Sequence, residues 1–128
     1  MQVTSQYIRS RGKIFIIKIG GCLDIVTTKA LEKAVDDMVD ARNYRLIVDL
    51  GDVDYICSMA WSVFLSNLKF LREHGGDIKL VNMKTRVYEV FKILEFYWFL
   101  KSFSTIEQAI LDFELERQPA PEQTAQVY

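Results

Sequence analysis

The spacing of hydrophobic and polar positions changes several times along the chain, and each change marks an element. Val3 to Ile8 and Lys13 to Ile19 read as strands, with "RSRG" as the hairpin turn between them. "KIFIIKI" is almost wholly apolar, the pattern of a strand covered on both faces. "IGGCLD" then interrupts it with two glycines. From Thr27 to Arg42, residues Leu31, Ala34, Val35, Met38 and Val39 follow the i, i+3, i+4 spacing of an amphipathic helix. "RLIVDL" returns to a buried strand. A second helical stripe, Trp61, Phe64, Leu65, Leu68 and Leu71, predicts a helix from about Ser58 to His74, which "HGG" ends. "DIKLVN" is another strand, and "KTRVYEVFKIL" another helix with Val87, Val90, Phe91 and Leu94 inward. A short strand over Lys101–Phe103 and a last helix, "STIEQAILDFE", complete the pattern. The capping box that opens this helix is expected to be Ser104 with Glu107.

The resulting order is β-β-α-β-α-β-α-β-α. Helices between successive strands predict right-handed parallel crossovers, so the fold class is α/β: a single-domain mixed β-sheet with helices packed on it. In such sheets functional loops gather beyond the carboxyl ends of the parallel strands. Two loops, "GGCLD" and "DVDYICS", are expected to meet there and to bring Asp24, Cys57 and Ser58 together. Half of the 128 residues are hydrophobic, enough for one core. The domain is expected to span residues 1–114. The tail 115–128, rich in Pro, Gln and Glu, is expected to be disordered and dispensable.

Charge and chemistry narrow the function. A net charge of −1 gives no field favouring nucleic acid or an anionic membrane. No apolar run reaches the roughly 20 residues of a membrane span, and "MQVTSQYIRS" lacks the apolar core of a signal peptide, so a cytoplasmic location is expected. Cys22 and Cys57 make no disulfide framework and read as small apolar filling. With one histidine, His74, no Ser-His-Asp, Cys-His or metal-ligand set forms, and the chain reads as a non-enzyme without cofactor or metal. "IGG" is not followed by a phosphate-loop pattern. Asp49 invites comparison with receiver domains, but "FIIKIGG" supplies none of the further acids that chemistry needs. Trp61 and Trp98 read as core or edge residues.

Ser58 sits at the joint between strand and helix, where a serine serves as an ordinary N-cap. Ser58, Ser62, Ser66, Lys69 and Glu73 share one helical face, so Ser58 is expected to face water. Met59, Val63 and Phe70 flank that stripe, and they either form a docking face or pack beneath a neighbouring helix. Asp24 reads as a helix-start acid or a partner contact.

At the two loops the sequence resembles the STAS-domain family, and within it the bacterial anti-sigma factor antagonists. "GCLD" is similar to the family's G-x-[LIV]-D turn, and "LIVDLGDVDYICSMA" to its strand-loop segment ending in D-S-[ST]-G. "HGGDIKLVNM" and "FSTIEQAI" match its later elements. The resemblance covers about residues 3–113. It implies a STAS fold and a protein that captures a serine-kinase anti-sigma factor and is switched off when Ser58 is phosphorylated, with a serine phosphatase as a further partner. ATP belongs to the kinase. The residues implied at the interface are Asp24, Cys57, Ser58, Met59, Ala60, Ser62 and Val63. Cys57, Met59 and Ala60 depart from the family's Asp, Ser/Thr and Gly, while the acceptor itself remains. The rival within the family is a scaffold or transporter-associated subunit, in which Ser58 only caps a helix. The rival outside it is a small enzyme of the flavodoxin or receiver type.

Overall fold

The computed structural model describes residues 2–9 and 13–117. The hairpin turn expected at "RSRG" lies mostly outside the described residues, as does the chain beyond 117. Five strands form one sheet in the order β1-β2-β3-β4-β5: β1 Gln2–Arg9, β2 Lys13–Leu23, β3 Arg45–Ile56, β4 Asp77–Val81 and β5 Lys101–Phe103. β1 runs antiparallel to β2, and the other four strands are parallel. Four helices connect or close them: α1 Ile25–Asp40, α2 Ser58–Glu73, α3 Thr85–Ile93 and α4 Ile106–Arg117, with a 3-10 turn over Phe96–Trp98. The expected mixed sheet and element order are both present.

The alternation along the strands sends two sets of side chains to two faces. Ile17, Ile19, Leu46, Val48, Leu50, Ile78 and Leu80 pack beneath α1, α2 and α3. Ile14, Ile16, Ile47 and Val81 face α4, where Ala109 and Phe113 cover them. This is why "KIFIIKI" carries isoleucines at both parities. α2 ends as its glycines require. Gly75, at φ +81°, and Gly76 return their amides to the carbonyls of Arg72 and Leu71 at 3.1 and 2.7 Å. A Cβ on Gly76 would collide with the Tyr44 backbone, so that position also demands glycine.

Several expectations are corrected. The two glycines do not end β2. It continues to Leu23, with Gly20 beside Asp52, Cys22 beside Tyr55 and Leu23 beside Ile56, and register shifts absorb the irregularity. The supposed loops are thus a paired two-strand extension, a stiffer platform than free loops. α4 runs on to Arg117, so the boundary expected at residue 114 falls inside a helix. Its first turn is capped one residue later than expected. The Gln108 amide donates to Thr105 Oγ1 (3.2 Å), and Gln108 Oε1 accepts from the Ser104 amide (3.1 Å). Val90 and Leu94, expected inward, are exposed, whereas Val87 and Phe91 are buried.

Lys79 was not singled out by the sequence pattern. It is fully buried on the α4 face of the interior strand β4. Its ammonium donates to Asp112 (2.6 Å) and Glu116 (2.8 Å), stands 3.6 Å from Asp77 and lies 4.3 Å from the Phe113 ring centroid. Lys101 joins the same two carboxylates. The ion cluster pins the last helix to the sheet. Glu116 belongs to the stretch expected to be dispensable, yet it pairs with both lysines of this cluster.

Candidate partner-docking site

The far end of the β2–β3 extension delivers the chain to two helix starts. Asp24 caps α1: its carboxylate accepts from the Thr27 amide (2.9 Å), and Thr27 Oγ1 accepts from the Asp24 amide (2.8 Å). These hydrogen bonds, the Thr27 amide foremost, hold the Asp24 carboxyl below the usual aspartate range. The acid of "GCLD" is therefore a reciprocal cap whose outer edge remains in water.

Cys57, not Ser58, occupies the N-cap of α2, which corrects the expected cap. The Cys57 amide donates to the Leu23 carbonyl (2.9 Å), tying the end of β3 to β2. Its sulfur makes no cap hydrogen bond of ordinary geometry, but it stands 3.5 Å from the Thr28 hydroxyl of α1. Burial pushes the Cys57 thiol up. The Thr28 hydroxyl and the amides of Ala60 and Met59 outweigh it and leave the thiol below its usual value. Cys22 is exposed, against the expectation of apolar filling, and both cysteines are free.

Ser58 is the first helical residue of α2 and is exposed, as are Ser62, Ser66, Lys69 and Glu73 along the same face. A side chain at this position projects beside amides that lack carbonyl partners in the helix, a setting that accepts negative charge. A groove opens around it, lined by Asp24, Ile25, Val26, Tyr55, Cys57, Ser58 and Met59. Ile25 and Val26 are 61% and 75% exposed, and Tyr55 and Met59 are about half exposed. The sequence pattern missed Ile25, Val26 and Tyr55. An apolar pair directly after the "GCLD" acid, at the start of an amphipathic helix yet off its buried stripe, was the available signal.

The structure brings Asp24, Cys57, Ser58 and Met59 together around the groove and leaves Ser62 exposed outside its lining. It removes Ala60 and Val63 from that surface. Ala60 is fully buried, and Val63 belongs to the core beneath the helices. Met59→Asp is therefore expected to keep the wild-type melting temperature. Val63→Asp is expected to lose several kcal/mol of stability, since it puts a carboxylate into a packed interior. Thermal melts of the two variants check the assignment, and equal melting temperatures would contradict it.

Elsewhere the acids are structural. Asp49 accepts from the Gly51 amide (2.9 Å) and Asn82 (3.2 Å), with Lys18 3.9 Å away, an arrangement that satisfies a buried carboxylate. Asp54 is paired with Lys84 at 2.7 Å, and that bond lowers its carboxyl from the usual value. Among the described residues no group of three His, Cys, Asp or Glu side chains could hold a metal ion. Among them too, no helix is long and apolar enough to cross a membrane.

The STAS domain family model matches residues 7–109. BtrV of Bordetella bronchiseptica, which carries the name of an anti-sigma factor antagonist, is 34% identical over 83 residues, covering 65% of this chain and 72% of its own. The crystal structure of an anti-sigma factor antagonist from Mycobacterium paratuberculosis superposes with a TM-score of 0.75. It is 18% identical, and the match covers 88% of this chain and 95% of that one. The Bacillus cell fate determinant SpoIIAA, in its phosphorylated form, superposes with a TM-score of 0.62 at 16% identity, covering 85% and 98% of the two chains. At these identities the two structures share the fold.

Proposed function

The chain belongs to the STAS domain family, and from that membership we propose that it is an anti-sigma factor antagonist whose docking surface is the groove around Ser58. The observation that carries the reading is the exposed Ser58 at the first position of α2, beside exposed apolar side chains and on a platform of paired strands. The name borne by BtrV, and a solved phosphorylated form of SpoIIAA, support the same reading. In this reading the partner is a serine-kinase anti-sigma factor in the cytoplasm, a phosphatase reverses the modification, and the chain itself performs no catalysis and needs no cofactor.

The physical logic of the switch follows from the site. Phosphate adds about −1.5 to −2 charges and three strong acceptors at neutral pH. At the start of α2 that charge meets free amides and the positive end of the helix, worth up to ~1 kcal/mol locally. The fold therefore tolerates the modification, and the inhibitory effect arises at the interface. There a dianion pressed against a partner without its own cations costs several kcal/mol. Cys57 in place of the family's aspartate leaves this helix start with one acid fewer.

Cys57 also offers a local reporter. A negative charge on Ser58 competes for the same helix-start field and pushes the lowered Cys57 thiol back up. Ser58→Asp should therefore slow alkylation of Cys57 at mildly alkaline pH while leaving Cys22 unchanged, read peptide by peptide by mass spectrometry. Equal Cys57 rates would mean that the two side chains do not share that field. The test of function is a pull-down from the native cell. Recovery of a serine kinase supports the proposal, and recovery of an assembly or transporter subunit supports the scaffold reading.

A further inference from the structure

A second exposed apolar surface lies on α3 and the turn after it, away from the residues that line the groove around Ser58. Val90, Ile93 and Leu94 follow i, i+3, i+4 spacing on the outer face of α3, and Tyr97, Trp98 and Phe99 continue it. Their exposures run from 42% at Val90 to 76% at Ile93. The surface is held in place. Glu95 turns the chain at φ 60°, and Phe96 packs on Trp61 with ring centroids 4.8 Å apart. Arg72 of α2 donates to the Phe99 carbonyl. The one donor of the Trp98 ring is already used on Glu95 at 3.2 Å, so its outward edge is apolar.

Weighted by exposure, these six residues present on the order of 700 Å². The largest apolar patch of an ordinary monomer is roughly 300–600 Å², and each partner in a standard interface contributes about 800 Å². Beside this ridge runs a groove lined by Leu65, Leu68 and Phe99, with Lys69, Arg72 and Glu73 at its edge. A two-fold interface requires a surface that fits itself, and a protruding aromatic next to an apolar groove meets that requirement. The charges around it are of both signs: Lys69 and Arg72 beside Glu73 at the groove, Lys92 beside Glu89 on α3, and Lys101 beside Glu116 near Trp98. A rim of both signs pairs with its own copy, whereas an anionic lipid surface favours basic residues alone.

We propose that this surface joins two copies of the chain about a two-fold axis, with Trp98 of each copy seated in the Leu65–Leu68–Phe99 groove of the other. The inference is independent of the function proposed for Ser58. The groove begins at Leu65, ~10 Å along the helix from Ser58, and none of its lining residues lines the groove around Ser58, so pairing here leaves the docking groove open.

Sedimentation of the 128-residue chain, from low to several hundred micromolar, is expected to show twice the 14.9 kDa chain mass. Trp98→Glu and Ile93→Glu are expected to weaken pairing at least a hundredfold with unchanged circular dichroism. Hydrogen exchange of the wild type at low and high concentration locates the interface without any variant, and protection should build over residues 90–99. The proposal is overturned if the wild type stays monomeric, if it pairs with no protection there, or if both folded variants still pair. A monomer that sediments with phosphatidylglycerol vesicles would assign the surface to lipid instead.

Discussion

Ser58→Asp is expected to lose its anti-sigma partner while keeping the circular dichroism and melting temperature of the wild type. Residue 58 is exposed at the first position of α2, and an added carboxylate there faces free amides rather than a packed neighbour. In the proposed complex the same carboxylate would be pressed against the partner. A penalty of about 2.7 kcal/mol already weakens binding a hundredfold. Ser58→Ala should bind normally and resist ATP-dependent modification. Titration calorimetry of the three forms against the purified partner reads the difference. Undiminished binding by a folded Ser58→Asp would leave Ser58 as a helix residue only and favour a scaffold role.

The largest effect on stability is expected at the other face of the sheet. Asp112→Ala with Glu116→Ala leaves the fully buried Lys79 ammonium with only Asp77, 3.6 Å away. Stripping a buried charge of its partners costs about 3–5 kcal/mol. Lys79→Met should cost much less, because Asp112 and Glu116 are partly in water and keep Lys101, while Asp77 keeps Arg72 at 3.0 Å. Urea melts of the two variants test this ordering, and the reverse ordering would show that the cluster is not organised around Lys79. The cluster also carries an acid limit. Burial alone would raise the Asp112 carboxyl, but Lys79 first and Lys101 second hold it below its ordinary value of 3.8. A carboxyl lowered on folding contributes stability that is complete above that ordinary value. The contribution is lost as pH falls through the lower folded-state value.

The order of strands and helices was legible because the apolar period changes cleanly at each boundary. The parities of Ile14, Ile16, Ile17 and Ile19 even announce a sheet covered on both sides. What escaped notice depended on contacts remote in the sequence. Gly20 and Gly21 look like a break, and only the pairing of Cys22 with Tyr55 and Leu23 with Ile56 shows that the strand continues. Val63 looked like a flank residue because it lies off the Trp61, Phe64, Leu68 and Leu71 stripe, whereas α2 packs along α1 as well as on the sheet. Lys79 reads as an ordinary polar position in a strand, since its partners lie 33 and 37 residues away. Asp24, Cys57 and Ser58 were legible as neighbours because both of their segments follow parallel neighbouring strands. The groove's apolar lining was not, because Ile25, Val26 and Tyr55 look like ordinary helix-start and strand-end residues.

Transfer of phosphate to Ser58 tests the account most directly. The wild-type chain and Ser58→Ala are incubated with ATP and the kinase recovered from the native cell, and intact masses and peptides are then read. One phosphoryl group is expected on the wild type, mapped to Ser58, and none on Ser58→Ala. An unmodified wild type beside an active kinase, or phosphate mapped to another residue, would contradict it.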